Sequence, residues 1–175
     1  MAIPVTIEDA RRQIQLGEDD DSQDADLLQF IDDAAAWVED YTGHILVARN
    51  VVEKFESFDR LRLRAWPIKP DADIGIGYDP ASGAATNLYG ARIASSSRPA
   101  AILPAIATRW PGGARGVTVL VRAGYEPSDQ VPGNFRRAML ILISAYDSDR
   151  EGGAIFQQAE ASARRLCRWF RARTL

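Results

Sequence analysis

The stretch VRAGYEPSDQVPGNFRRAMLILISAYDSDRE, residues 121–151, decides the fold. It begins as an alternating segment, breaks at Ala123-Gly124-Tyr125, and turns through a proline-flanked connection. It then runs Met139-Leu140-Ile141-Leu142-Ile143 with no polar residue. A helix that is apolar nearly all round is buried on every side, in its own core or against copies of itself. Pro132 suits the start of such a helix, and Gly152-Gly153 breaks it, which predicts a helix over about 132–149. Phe135, Met139, Leu142, Ile143 and Tyr146 are its core positions.

Helical spacing continues beyond the glycines. Phe156, Ala159, Ala163, Leu166, Cys167 and Phe170 form an apolar stripe on a last helix, about 155–173. Arg164, Arg168 and Arg171 align on another face, and Trp169 falls outside the stripe. At the other end of the chain, Thr6-Ile7-Glu8-Asp9 has the form of a capping box opening a short helix, about 6–16, before Gly17. The acidic loop GEDDDSQD follows, and its carboxylates are expected to cap the next helix and favour its dipole. That helix spans about 24–42 and stops at Gly43. Leu27, Leu28, Ile31, Ala34, Ala35, Val38 and Tyr41 share one face, which Phe30 and Trp37 widen.

Between these helices the period changes from 3.6 to 2. Leu61–Ala65, Ile74–Tyr78 and Val117–Val121 alternate as strands do, and Asp79-Pro80-Ala81-Ser82-Gly83 is turn chemistry. Pro67, Pro70 and Pro99 belong to edges and irregular connections. The expected architecture is α+β: one domain over 1–175, a bundle of about four helices with a small antiparallel β insertion at about 44–125. The 132–149 helix is then central, with the 24–42 helix, the last helix and the sheet around it.

A chain of 175 residues can bury a sizeable core, roughly 70% of its unfolded surface. No apolar run approaches the ~20 residues of a membrane span. The N-terminus MAIPVTIEDARRQ does not read as a signal peptide, and a single cysteine cannot make an internal disulfide. Both readings suit synthesis in a bacterial cytoplasm. The net charge of -3 is unevenly divided: residues 1–60 hold 15 acids and 5 bases, residues 61–175 hold 9 acids and 16 bases. Such asymmetry suits head-to-tail contacts between copies, or partners of opposite sign.

Signs of chemistry are scarce. His44 is the one histidine, just past a helix-ending glycine, where a surface or capping role is expected. Cys167 lies on an apolar stripe and reads as a small buried hydrophobe. Gly75-Ile76-Gly77 lacks the third glycine and following helix of a dinucleotide fingerprint, and the Asp19-Asp20-Asp21 loop lacks the spacing of a calcium loop. No catalytic, cofactor or metal residue stands out, and an enzyme is the weaker class. Arg164, Arg168 and Arg171 could track phosphates in a nucleic-acid-binding accessory protein. Arginine beside an exposed tryptophan better suits a protein interface.

The pieces in their order resemble a known family. FIDDAAAWVEDYTGHIL, then LRAWPIKP, GYDPASG and VTVLVRAGY, then VPGNFRRAMLILISAYDSDRE are similar to segments of head–tail connector (adaptor, or head-completion) proteins of long-tailed bacteriophages and related gene transfer agents. The likeness spans about residues 5–151; His44 replaces a commonly basic position, and the last helix is less recognisable. The resemblance implies a ring, typically of twelve copies, at the head–tail junction of the virion. Such a ring sits beneath the portal, meets a stopper or tail-terminator protein, and passes DNA only as cargo. It implies no cofactor, no membrane and no catalysis. Within it, Arg164, Arg168, Trp169 and Arg171 become the candidate portal contacts, on a last helix expected to be removable without loss of folding.

Overall fold

In the computed structural model the described residues are 4–17, 20–81, 83–126 and 130–171. The element order is α1 (Ile7–Gln13), α2 (Asp24–Thr42), seven strands, α3 (Gly133–Ser148) and α4 (Ala154–Cys167), followed by a short 3-10 turn at Arg168–Phe170. By its internal contacts the chain divides into two compact units. One joins Met1–Val47 to Tyr125–Arg171, and the other is Ala48–Gly124.

The helical unit is organised by its ends. Thr6 caps α1: its hydroxyl accepts the Asp9 N–H, and the Asp9 carboxylate accepts the Thr6 N–H. Asp9 also pairs with Arg136 on α3 at 2.7 Å. Partial burial pushes the Asp9 pKa up, but Arg136 and the Thr6 N–H outweigh it and hold the carboxyl below its ordinary value. α1 is shorter than its apolar pattern suggests. Gln15 takes a left-handed conformation (φ 63°), and the Leu16 N–H returns to the Arg11 carbonyl, closing the helix two residues before Gly17. Arg11 reaches forward to both carboxylate oxygens of Asp24, clamping α1 to the start of α2.

The acidic loop does not cap α2. Its N-cap is Gln23, which makes no side-chain capping bond, and Asp24 and Asp26 only place charge in the first turn. Asp20 instead accepts the N–H and hydroxyl of Ser22, while Asp19 lies outside the described residues. At the far end Gly43 adopts φ 68° and its N–H bonds the Glu39 carbonyl, a turn that favours glycine.

α3 packs against α1, α2 and α4. Phe135, Met139, Leu142 and Ile143 are completely buried. Tyr146 is half-buried between Phe30 and Phe156, at ring distances of 5.8 and 5.5 Å. Ile141 is half-buried, and Arg136 and Arg137 are exposed, so the apolar girdle has one open edge. The apolar cluster around α3 is drawn from α1, α2, α4 and flanking residues such as Val5, Leu46 and Val131.

α4 begins on a carboxylate supplied from the end of α3. Asp149 accepts the backbone N–H groups of Gly153, Ile155 and Phe156, and these bonds hold its pKa below the ordinary 3.8. A depressed carboxylate contributes stability that is present above pH 3.8 and is lost as pH falls through the folded-state value. Asp149→Ala therefore lowers the melting temperature at neutral pH, Asp149→Asn retains part of it, and the difference from wild type narrows below pH 3.8. Thermal melts at pH 7 and pH 3 measure this.

The second unit holds two antiparallel sheets rather than one. β1 (Arg49–Phe55), β7 (Arg115–Ala123), β3 (Ile74–Asp79) and β4 (Thr86–Leu88) form a four-stranded sheet in that order. β2 (Arg62–Leu63), β6 (Ala100–Leu103) and β5 (Arg92–Ala94) form the other. Val117, Val119 and Val121 point inward from the central strand β7 and are buried, as are Ile76, Leu63 and Ile102. Phe58 closes one end, stacked on Trp110 at 4.8 Å and edge-on to Tyr78. The Glu53 carboxylate accepts the N–H groups of Arg64 and Ala65, tying β1 to the segment after β2. β3 shifts register between Gly77 and Asp79, opposite Gly116. There φ is 60° and an added Cβ would lie 2.8 Å from an Asp79 oxygen, so the position favours glycine.

Candidate functional site

The C-terminal half of α4 sets its apolar stripe inward. Ala159, Ala163 and Cys167 are buried, and α4 packs broadly on α3. Burial raises the Cys167 thiol to about 11, so at neutral pH it is protonated and inert toward nucleophilic chemistry. Ala159, Ala163 and Cys167 are part of the core, so removing α4 would uncover the face of α3 they cover.

The helix does not continue through residue 171. It ends at Cys167, and the 3-10 turn swings Phe170 into an aromatic cluster, 4.7 Å from Phe135 and 5.9 Å from His44. His44 is itself 5% exposed, not a surface residue. Its Nδ1 lies 2.9 Å from the Tyr125 hydroxyl, its ring stacks on Tyr125, and Phe135 meets it edge-on at 5.0 Å. The sequence offered no sign of this, since Tyr125, Phe135 and Phe170 are distant along the chain.

Breaking the helix redistributes the arginines. Arg164 and Arg171 both lie over the Tyr41 ring, at 5.8 and 4.9 Å from its centre. Tyr41 stacks on Trp37 at 5.1 Å. The Trp37 indole N–H and the Arg164 guanidinium both donate to one oxygen of Glu160, at 3.1 and 2.8 Å. Arg164, then Trp37, hold the Glu160 pKa below its ordinary value, and Glu160 raises that of Arg164. Trp37, Tyr41 and Glu160 are thus part of the surface. Trp37 and Tyr41, expected on the apolar face of α2, also pack half-buried against the core, and no signal marked Glu160.

Arg168 and Trp169 stand apart. The guanidinium lies 4.7 Å from the centre of the Trp169 ring, and Trp169 is 71% exposed. A cation stacked on an indole is held in place at little further cost when a partner arrives. The four sequence-selected residues therefore fall into two pairs. Arg164 and Arg171 brace Tyr41, and Arg168 with Trp169 present an amphipathic tip to solvent. The arginines do not form one row of unoccupied cations. Among the described residues, no cluster of three or more His, Cys, Asp or Glu side chains could hold a metal ion, and no helix is long and apolar enough to cross a membrane.

The described chain is α+β, with Arg168 and Trp169 exposed at the end of α4. Solved structures with the same fold narrow the class. One is a chain from the neck of an empty gene transfer agent (GTA) particle computed with C6 symmetry, with a TM-score of 0.72 and 21% identity. A second is from the virion of a native gene transfer agent particle, at 0.72 and 22%. A third is from the neck of a native GTA particle computed with C12 symmetry, at 0.66 and 22%. Each match covers 100% of this chain and 94% of the other. No protein-family model matches the sequence, and no curated protein matches it. The chain has, over its whole length, the fold of a subunit of these particles.

Proposed function

We propose that this protein is a structural adaptor of a tailed, phage-like particle of the gene transfer agent kind. Twelve copies form a ring at the head–tail junction, between the portal and a stopper or tail-terminator protein, and extend the channel through which DNA passes. Both compact units serve as one connector-like domain. The observation that carries this reading is the likeness of fold over the whole chain to subunits of a particle neck, one of them computed with C12 symmetry. It agrees with the independent sequence resemblance of residues 5–151 to connector proteins. The function is geometric, adapting one ring of protein to another, and calls on no cofactor or catalytic group.

The portal contact is assigned to Arg168 and Trp169, the solvent-facing pair at the end of α4. Arg164 and Arg171 support it by fixing Tyr41. Exposed Trp and Arg are the side chains that most often carry interface energy. Affinity purification of the tagged full-length chain from particle-producing cells tests the reading, with mass spectrometry of what accompanies it. Portal and tail proteins in fixed ratio are the expected result. Nucleic acid or unrelated proteins alone would overturn it and favour the accessory nucleic-acid-binding alternative.

A further inference from the structure

The charge asymmetry along the chain becomes simpler when mapped on the two units. Residues 48–124 carry 11 bases and 6 acids, a balance of +5. The helical unit, residues 1–47 with 125–171, carries 9 bases and 18 acids, a balance of -9. Each unit also leaves one matching face open.

On the four-stranded sheet, the positions facing away from Val117, Val119 and Val121 pair across strands as Asn50 with Arg122, Val52 with Leu120, and Lys54 with Thr118. Leu120 is also opposite Gly75 on β3. Val52 is 54% and Leu120 43% exposed, an apolar centre without cover in the protomer. None of these outward positions is acidic, and Lys54 makes no ion pair among the described residues. Gly75 sits in the strand interior beside Leu120, yet nothing in the protomer requires glycine there. An added Cβ would meet the Leu120 Cβ at 3.7 Å, an ordinary contact, and its φ is not left-handed. Interior strand glycines are found at bulges, at bends and where another backbone comes close, and the register shift of β3 lies further on, between Gly77 and Asp79.

The outward face of α2 is the counterpart. Leu28, Asp32, Ala36 and Asp40 are exposed there, with Ala25 and Gln29 between them. Leu28 is 54% exposed, the small alanines permit close approach, and Asp32 and Asp40 make no ion pair among the described residues.

We propose that the outer face of this sheet, centred on Val52, Leu120 and Gly75, receives the acidic outer face of α2 from the next copy of the chain around the ring. Lys54 meets Asp32, one helical turn from Leu28, and Leu28 covers the Val52–Leu120 patch. The contact is heterologous, one surface of each copy on a different surface of its neighbour, which is the kind that closes into a ring. This inference rests on the ring reading above and names the surfaces that make the ring.

The test is cross-linking in assembled particles. The full-length chain carrying Leu28→Cys and Leu120→Cys together is incorporated and treated with a short bis-maleimide. A ladder of multimers is expected from the double variant and none from either single variant, Cys167 being buried. Gly75→Ala should melt no lower than wild type, since an added Cβ makes only ordinary contacts, while incorporation falls about tenfold or more. Lys54→Glu and Asp32→Lys should each fail alone and assemble when co-expressed as alternating copies. If the wild-type chain is in the particle but the double-cysteine chain gives no ladder, or Gly75→Ala assembles normally, the assigned surfaces are wrong and the ring reading survives. If the wild-type chain is absent from particles, the ring reading falls and this inference with it.

Discussion

Leu142→Asp leaves no cooperatively folded protein. Leu142 is 0% exposed in the middle of α3, within the apolar cluster that joins α1, α2 and α4. Losing the leucine alone costs about 2–5 kcal/mol, as large-to-small core changes do. A carboxylate at the same place adds the desolvation of a charge with no partner, several kcal/mol more, or the equivalent cost of binding a proton. The sum matches the whole stability of a typical domain, about 5–15 kcal/mol. Circular dichroism during heating is the measurement, and the expected trace has no cooperative transition. Leu142→Ala is the graded control, folded but melting lower. A Leu142→Asp protein with a wild-type transition would mean that α3 is not the centre of the helical unit.

Arg168→Glu combined with Trp169→Ala leaves folding intact and removes incorporation into particles. Trp169 is mostly in solvent and Arg168 rests on its ring, so neither fills the core, and the expected change in stability is within about 0.5 kcal/mol. Interface residues of these types cost about 2 kcal/mol or more each when truncated, roughly a 30-fold loss of affinity. Because every copy in a ring loses the same contact, the effect multiplies. The amount of the variant in purified particles, relative to the portal, should fall by about 100-fold or more. Incorporation at the wild-type ratio would take the portal contact away from this tip. Tyr41→Ala provides a comparison: it frees Arg164 and Arg171 without touching the tip, and a smaller loss is expected.

Those two outcomes differ in how far the sequence foretold them. The burial of Phe135, Met139, Leu142 and Ile143 was legible because an uninterrupted apolar run permits no other environment in water. The capping box at Thr6 and the left-handed stop at Gly43 were legible because both are local, set by a few neighbouring residues. Less could be read where a distant residue decides. α4 stops at Cys167 because Phe170 is drawn to His44 and Phe135, and no local pattern encodes that. The same distant packing buries His44, which by position alone looked like a surface residue. Asp149 accepts three backbone N–H groups at the start of α4 from five residues before the helix begins, outside the usual capping position.

The candidate surface was legible in part for the same reason. Sequence spacing singled out Arg164, Arg168, Trp169 and Arg171, but treated the arginines as one row. Only in three dimensions does Tyr41 of α2 collect Arg164 and Arg171, leaving Arg168 to Trp169. The division of charge was visible as a count along the chain. Its meaning emerged only when the chain divided at Val47 and Gly124, because the acidic helical unit is assembled from both ends of the sequence.

The central claim is that this chain forms a ring at the head–tail junction, and the most direct measurement is cryo-electron microscopy of particles carrying the tagged protein. The account predicts label at the neck, with twelve copies of this fold around the channel directly below the portal. Neck density complete in particles from cells lacking the chain, or label anywhere but the neck, would contradict it.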